Sequence, residues 1–332
     1  MKPFTGILFA LVLAFCHPQG LHAQTYTVSV SSASLGTIVS AASGTTTFRV
    51  DDNLGTVTTV SGTAARITTG AVSPIVASVT CLGTTSSCNK NVNISIASAG
   101  TPTNRASSLT NFTATADTAS FNSSPSGTNP VTFRLNPIAR NATVTFFVGY
   151  DFPVRADNSG AGTGLSSSSL SVTASASGAT TGTNSGTASA TVIRSITLSN
   201  SATLSFGRIV LPSSGSRTVT YSPTVRTVQL SGSGTGGATM SSPAPSLAAF
   251  SVAGEGGQSF TLTVPSSFTL SGPSGSTVTI TTLPSVTGAQ TLSGSLGASG
   301  SLGFTVGGSF AMSATTQAGA YSGNFSATVQ YN

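Results

Sequence analysis

Residues 34–50 read SLGTIVSAASGTTTFRV, and residues 205–221 read SFGRIVLPSSGSRTVTY. At a constant offset of 171 and with no gap, Ser34, Gly36, Ile38, Val39, Ser43, Gly44 and Thr47 recur as Ser205, Gly207, Ile209, Val210, Ser214, Gly215 and Thr218. Leu35 and Phe206 supply a large apolar residue at the same place in each copy. A second landmark follows in the same order. Val148-Gly149-Tyr150-Asp151-Phe152 corresponds to Val306-Gly307-Gly308-Ser309-Phe310. After it come a Gly-containing turn and a last alternating strand, carrying Leu170, Val172 and Ala174 in one copy and Phe325, Ala327, Val329 and Tyr331 in the other. Two ordered landmarks predict duplication of a whole domain.

The flanking sequence says what kind of domain is duplicated. Tyr26, Val28 and Val30 alternate with polar residues, as do Val92, Ile94 and Ile96, then Val144 and Phe146, Phe260 and Leu262, and Val278 and Ile280. Each run is short and bounded by Gly, Pro, Asn or Ser, which is the pattern of strands and turns. No window keeps an apolar 3.6-residue period for three turns. The chain is therefore expected to be all-β, built from two tandem antiparallel β-sandwiches. An outer-membrane barrel would need aromatic girdles; Trp is absent and aromatic residues make up 7%. The expected boundaries are 24–174 for the first sandwich and 191–332 for the second. Residues 175–190, SASGATTGTNSGTASA, have no large apolar residue and the composition of a flexible linker.

The N-terminus predicts export. Met1-Lys2 is a short basic region, residues 7–15 (ILFALVLAF) are apolar, and Leu21-His22-Ala23 precedes Gln24 with a small residue at the cleavage position. This is a signal peptide over residues 1–23, with cleavage between Ala23 and Gln24. Cys16 lies where a lipobox would place a cysteine, but bulky Phe15 precedes it, so Cys16 is expected to leave with the signal. No later run is long enough to span a membrane as a helix. Removal of the signal takes both histidines, His17 and His22, and leaves eleven basic against six acidic residues. The excess is scattered rather than clustered, which argues against a nucleic-acid partner. Charged residues are 5% of the chain, against roughly 25% in ordinary globular proteins. Solubility then falls to Ser, Thr, Asn and Gly, a composition that suits an extracellular β-protein tolerant of close lateral contact.

The same inventory leaves little for catalysis. General acid–base chemistry usually needs a histidine or two facing carboxylates. The mature chain has only Asp51, Asp52, Asp117, Asp151, Asp157 and Glu255. No enzyme activity is expected, and no cofactor. Gly232-Ser233-Gly234-Thr235-Gly236-Gly237 spells a dinucleotide-binding pattern, with Glu255 eighteen residues on. That pattern must open a helix, and Pro243 and Pro245 follow too soon. Ser87 and Lys90 have the S-x-x-K spacing but sit in a strand region. Asp51-Asp52-Asn53 could offer oxygens to a calcium ion or form a turn, the commoner use of Asp and Asn. Asp157-Asn158-Ser159-Gly160 reads as a turn. Cys81 and Cys88, with six residues between them in an exported chain, are expected to form one disulfide closing a loop between two strands, 75–81 and 88–96. The tyrosines sit in or beside strands, so no exposed aromatic platform for sugars is visible.

The second copy resembles a bacterial domain of unknown function, DUF4402. The likeness lies in Leu204-Ser205-Phe206-Gly207-Arg208-Ile209, then Phe250-Ser251-Val252-Ala253-Gly254, Phe304-Thr305-Val306-Gly307-Gly308, Gly319-Ala320-Tyr321-Ser322-Gly323 and a final Thr328-Val329-Gln330-Tyr331-Asn332. That last segment also looks like the terminal strand of pilus and spore-coat-U-type subunits. The first copy keeps Leu35-Gly36 and Val148-Gly149 but lacks the Tyr-Ser-Gly element. The resemblance implies an immunoglobulin-like sandwich on an exported, surface-associated protein. Two functions are then expected in turn. One is a structural or adhesive surface subunit that assembles with itself, with Tyr26–Val30 as the strand donated to a neighbour. The other is a discrete module that binds a glycan or protein through loops at the sandwich ends.

Overall fold

A computed structural model describes residues 25–332; the cleavage site at Ala23 and Gln24, and Cys16, lie outside the described residues. Nearly all the regular structure of the described residues is β-strand, paired mostly antiparallel. The first domain contains β1 (Tyr26–Val30), β2 (Ala33–Val39), β3 (Thr45–Val50), β4 (Val57–Ser61), β5 (Ala65–Arg66), β6 (Ile75–Cys81), β7 (Val92–Ala99), β8 (Thr110–Ala116), β9 (Phe121–Ser126), β10 (Val131–Leu135), β11 (Thr143–Arg155), β12 (Gly164–Ser175) and β13 (Gly182–Ile193). One sheet runs β1-β6-β11-β3-β4, with β8 also on β11. The other runs β5-β2-β13-β12-β7-β10-β9. Between them lies a cluster of 38 buried apolar residues. This is an immunoglobulin-like sandwich.

The second domain contains β14 (Thr197–Ala202), β15 (Ile209–Ser214), β16 (Ser216–Tyr221), β17 (Val228–Ser231), β18 (Thr235–Thr239), β19 (Ala248–Glu255), β20 (Ser259–Thr263), β21 (Ser267–Ser271), β22 (Thr277–Pro284), β23 (Gly288–Thr291), β24 (Ser299–Ser313) and β25 (Thr328–Tyr331). Its first sheet runs β14-β19-β24-β16-β17, with β22 on β24. That is the order of the first domain, strand for strand. The register agrees as well. Val50 faces Tyr150 as Tyr221 faces Gly308, and Phe48 faces Phe152 as Val219 faces Phe310. The repeat aligned in sequence is thus the same pair of strands in space.

The repeated glycines have a backbone reason. Gly36 and Gly207 have φ of +77° and +71°, and Gly44 and Gly215 have +80° and +68°. These are left-handed turns that a side chain would strain.

Residues 175–190 are not a linker. They hold the turn and most of β13, which pairs antiparallel with β12 along its whole length and parallel with β2. Gly186, Ala188, Ala190 and Val192 point inward and are buried. A Cβ at Gly186 would run into the Ser31 carbonyl and Val30, so the glycine there serves close packing of β1. The domains instead meet at residues 194–196, three residues between β13 and β14. Tyr26–Val30 is no free donor either. As β1 it pairs with β6 from Tyr26–Cys81 to Val30–Ala77, and Tyr26 is fully buried.

Cys81 and Cys88 are bonded. Cys88 ends a one-turn helix, Thr85–Cys88, rather than starting a strand, because the Thr84 hydroxyl accepts the Ser87 amide and caps that turn. Closing so short a loop restricts the unfolded chain by about 2.5 kcal/mol. Replacing both cysteines by serine should lower the first domain's stability by about that amount, read from denaturant midpoints under oxidising conditions. Reductant should then have no further effect on the variant.

Candidate functional site

In the first domain, β13 joins β2 to β12 and makes one continuous sheet. In the second domain the corresponding sheet is in two pieces, β15-β18 and β23-β20-β25. Residue pairing fixes the correspondence. Ile38–Arg66 and Val39–Ala65 pair as Ile209–Thr239 and Val210–Ala238 do, so β15 stands for β2. Ile94–Ala174 and Ile96–Val172 pair as Phe260–Tyr331 and Leu262–Val329 do, so β25 stands for β12. Between β15 and β25, where β13 would lie, no described residue forms a strand.

The gap is an open groove of about 690 Å³. Leu204, Phe206, Ile209 and Leu211 form one wall; Phe250, Phe310 and Met312 lie along its floor; Phe268, Leu270 and Phe325 close the other side. No charged residue lines it. Its aromatic rings support one another. Phe206 meets Phe310 edge-on at 5.0 Å, and Phe325 lies 5.0 Å from Phe268 and 6.0 Å from Phe250. Such pairs hold an apolar wall in shape without a cover. Burial shows what the cover does. Leu35, Ile38 and Phe152 are each 0% exposed beneath β13. Their counterparts Phe206, Ile209 and Phe310 are only half-buried. The second domain's continuous core has seven fully buried members, against 38 in the first.

The residues after β24 run along the groove's rim and are fastened there. Tyr321 Oη lies 3.0 Å from Ser276 Oγ and donates to the Gln317 carbonyl at 2.8 Å. Ser322 and Ser271 exchange backbone hydrogen bonds. Gly272 leaves room for the Tyr321 ring, which a Cβ would strike. The Gly319-Ala320-Tyr321-Ser322-Gly323 motif is thus the fastening of this crossing segment.

Residues 196–331 match the family model of a domain of unknown function, DUF4402. The match begins at the domain junction and ends on β25. No curated protein matches the chain. Among solved structures, a PapD-like domain of human CEP192 aligns at 10% identity and TM-score 0.20, covering 58% of this chain and 99% of that one. A chaperone–tip adhesin complex of CFA/I fimbriae aligns at 10% and 0.27, covering 76% and 87%. The CsuC–CsuE chaperone–tip adhesion subunit complex of Acinetobacter baumannii Csu pili aligns at 10% and 0.31, covering 92% and 99%. With TM-scores this low, the architecture rests on the strand pairing described above.

Two of the acidic residues that sequence reading left as a turn or a scattered acid, Asp157 and Glu255, lie at the junction. Glu255 is fully buried between the first domain and the DUF4402 domain. It accepts hydrogen bonds from Thr163 Oγ1 (2.8 Å), Arg194 Nη1 (2.8 Å) and the Gly297 amide (2.6 Å). Asp157 accepts from Ser40, from buried Arg105, and from both the amide and hydroxyl of Ser195. A buried carboxylate is stable only with such a full complement of donors. Burial alone pushes the Asp157 carboxyl up, but the bonds from Arg105, Ser195 and Ser40 outweigh it and hold it below its ordinary value of 3.8. A depressed folded value stabilises above the unfolded one and is lost as pH falls through it. The contribution of Asp157 to the junction should therefore be lost on acidification below about pH 4. Asp157→Asn should flatten the pH dependence of the calorimetric coupling between the domains; an unchanged profile would place the acid sensitivity elsewhere.

The other sequence candidates fall apart in space. Ser87 donates to the Thr84 carbonyl while Lys90 Nζ reaches the Ser177 carbonyl at 2.6 Å, so the two do not meet. The glycine run 232–237 turns β17 into strand β18, not into a helix. Asp51 Oδ1 accepts the amides of Asn53 and Leu54, forming a turn, and these bonds hold its carboxyl below the usual range.

Proposed function

We propose that the protein is an exported, non-enzymatic subunit of a surface fibre, and that its DUF4402 domain is completed by a strand from another chain. The observation that carries this is the comparison of the two halves of one molecule: the same sandwich occurs once with its joining strand in place and once with that place open and apolar. Adding a strand to two facing edges supplies main-chain hydrogen bonds to both and covers the exposed side chains in one step. An open groove with two unpaired edges is otherwise a liability for a secreted protein. The first domain, already closed, is the part held outward. The low charge of the chain suits close lateral contact in a fibre. Cofactors and nucleic acid have no part in this reading.

The test is unboiled, non-reducing electrophoresis of protein sheared from the cell surface, probed with an antibody to the DUF4402 domain. A ladder of detergent-resistant multimers is expected, collapsing to one band on boiling. A single band near the mature mass before boiling would contradict assembly and favour a discrete binding module that uses its loops.

A further inference from the structure

Away from the groove, β25 makes a second connection, to the domain junction. Tyr331 lies in β25, within the small sheet β23-β20-β25, and Glu255 ends β19 in the larger sheet. The Glu255 amide donates to Tyr331 Oη at 2.8 Å, so a hydrogen bond crosses from one sheet to the other. The same Glu255 presents its carboxylate to Thr163 of the first domain, to Arg194 of the connection and to the Gly297 amide. One residue therefore holds β25 by its backbone and the first domain by its side chain. Two glycines make room for this. A Cβ at Gly254 would strike the Tyr331 hydroxyl. One at Gly256 would press on the Ser295 backbone, in the loop that brings the Gly297 amide to the carboxylate.

The first domain shows that the sandwich itself does not need this link. Ala174 occupies the place of Tyr331, since it pairs with Ile94 as Tyr331 pairs with Phe260. Cys81 occupies the place of Gly254, since Ile75 pairs with Val148 as Ala248 pairs with Val306. Ala174 has no group to donate or accept across the sheets, and the Cys81–Cys88 disulfide closes that end instead. Leu82, in the place of Glu255, is 47% exposed, whereas Glu255 is 0% exposed. Of the two sandwiches, the one with the tyrosine strut is the one whose end is buried against its neighbour.

We propose that Tyr331 couples β25 to the domain junction, so that the seating of β25 and the closure of the junction are one cooperative event. A buried carboxylate must keep its donors, so the Glu255 backbone cannot shift without giving up Thr163, Arg194 or the Gly297 amide. Tyr331 fixes that backbone from the side of β25. Loosening β25 releases the Glu255 backbone and, with it, the first domain. Loosening the first domain from the carboxylate releases β25 in turn, because a coupling free energy acts equally in both directions. The inference goes beyond the fibre reading and stands without it. Within that reading, pairing at the free edge of β25 also fixes the direction in which the first domain projects.

The test uses the full chain as a single molecule, with Thr163→Val, Tyr331→Phe and the two combined, and reads amide hydrogen exchange. Two amides report. Gly297 donates to the Glu255 carboxylate at the junction. Gln330 lies in β25 opposite Thr261; because Asn332 donates to Ser259, antiparallel alternation gives the Gln330 amide a bond to β20. Thr163→Val alters only the first domain's side of the junction and should speed exchange at Gln330 at least about fivefold. Tyr331→Phe keeps the ring, removes the hydroxyl and should speed exchange at Gly297 by a similar factor. In the combined variant, Thr163→Val should add nothing at Gln330 beyond the effect of Tyr331→Phe alone. The amides of β7, in the first domain's core, should keep their rates and show that each variant is folded. Unchanged exchange at Gln330 in Thr163→Val or at Gly297 in Tyr331→Phe would overturn the proposal. So would an equal acceleration by Thr163→Val with and without the Tyr331 hydroxyl. Surface multimers are not read in this experiment, so the coupling and the fibre reading fail separately.

Discussion

Extending the chain past Asn332 with a copy of residues 176–193 that carries Ala188→Leu and Ala190→Leu should raise the melting temperature of the DUF4402 domain by about 10 °C. The geometry for this exists in the first domain. Ala174 and Tyr331 occupy equivalent places, since they pair with Ile94 and Phe260 on equivalent strands. Ser175 and Asn332 therefore also correspond, and the turn of residues 176–181 that carries β12 into β13 should carry β25 into the added strand. For a domain of this size a 10 °C shift is a net gain of about 3 kcal/mol. That is modest beside the burial of several apolar side chains, at about 1.5–3 kcal/mol each, because ordering the added residues opposes it. Differential scanning calorimetry should show the second transition rising and the first unmoved. The same extension with aspartates at the two positions should leave both transitions where they are. If the leucine extension also leaves them unmoved, the gap between β15 and β25 is not a strand site.

The second large effect is expected in the segment whose composition reads as a linker. Ala190 is 0% exposed, inside β13. Ala190→Asp would bury a carboxylate with no partner, a cost of several kcal/mol, about 4 or more. The first domain should unfold or be lost from the secreted fraction, whereas the neighbouring outward-facing Ser189→Asp should be secreted normally. In a flexible linker both substitutions would be silent. Circular dichroism and protease sensitivity of the two variants distinguish these outcomes directly.

That contrast marks where sequence reading succeeded and where it stopped. Strand alternation and the duplication were legible because they rest on large side chains with period two: Ile94 and Ile96, Phe260 and Leu262, and the landmark pairs that prove to share a register. β13 was hidden because it packs with small ones. Gly182 and Gly186 lie against β1, where a Cβ would collide with backbone, and Ala188 and Ala190 fill what little space is left. Gly, Ala, Ser and Thr in series have the composition of a flexible linker, and also that of a strand squeezed between two layers. Composition cannot tell these apart. The junction was invisible for a different reason. Asp157 and Glu255 are far apart in the chain and converge only through the turn after β11 and the end of β19. The groove itself was half legible. Phe206, Phe250 and Phe325 all stood in or beside the quoted family motifs, but nothing in the sequence marked them as uncovered. The assignment of Tyr26–Val30 as a donor failed because an N-terminal strand with alternating apolar residues fits equally well inside its own sheet.

On the function proposed, the edges of β15 and β25 are open in the single chain and paired in the assembled state. Amide hydrogen exchange in β25 is the direct test, comparing the purified single chain with the multimeric material expected at the cell surface. The account predicts fast exchange of the groove-side amides in the single chain and strong protection of the same amides in the surface material. Equal exchange in the two samples would contradict it.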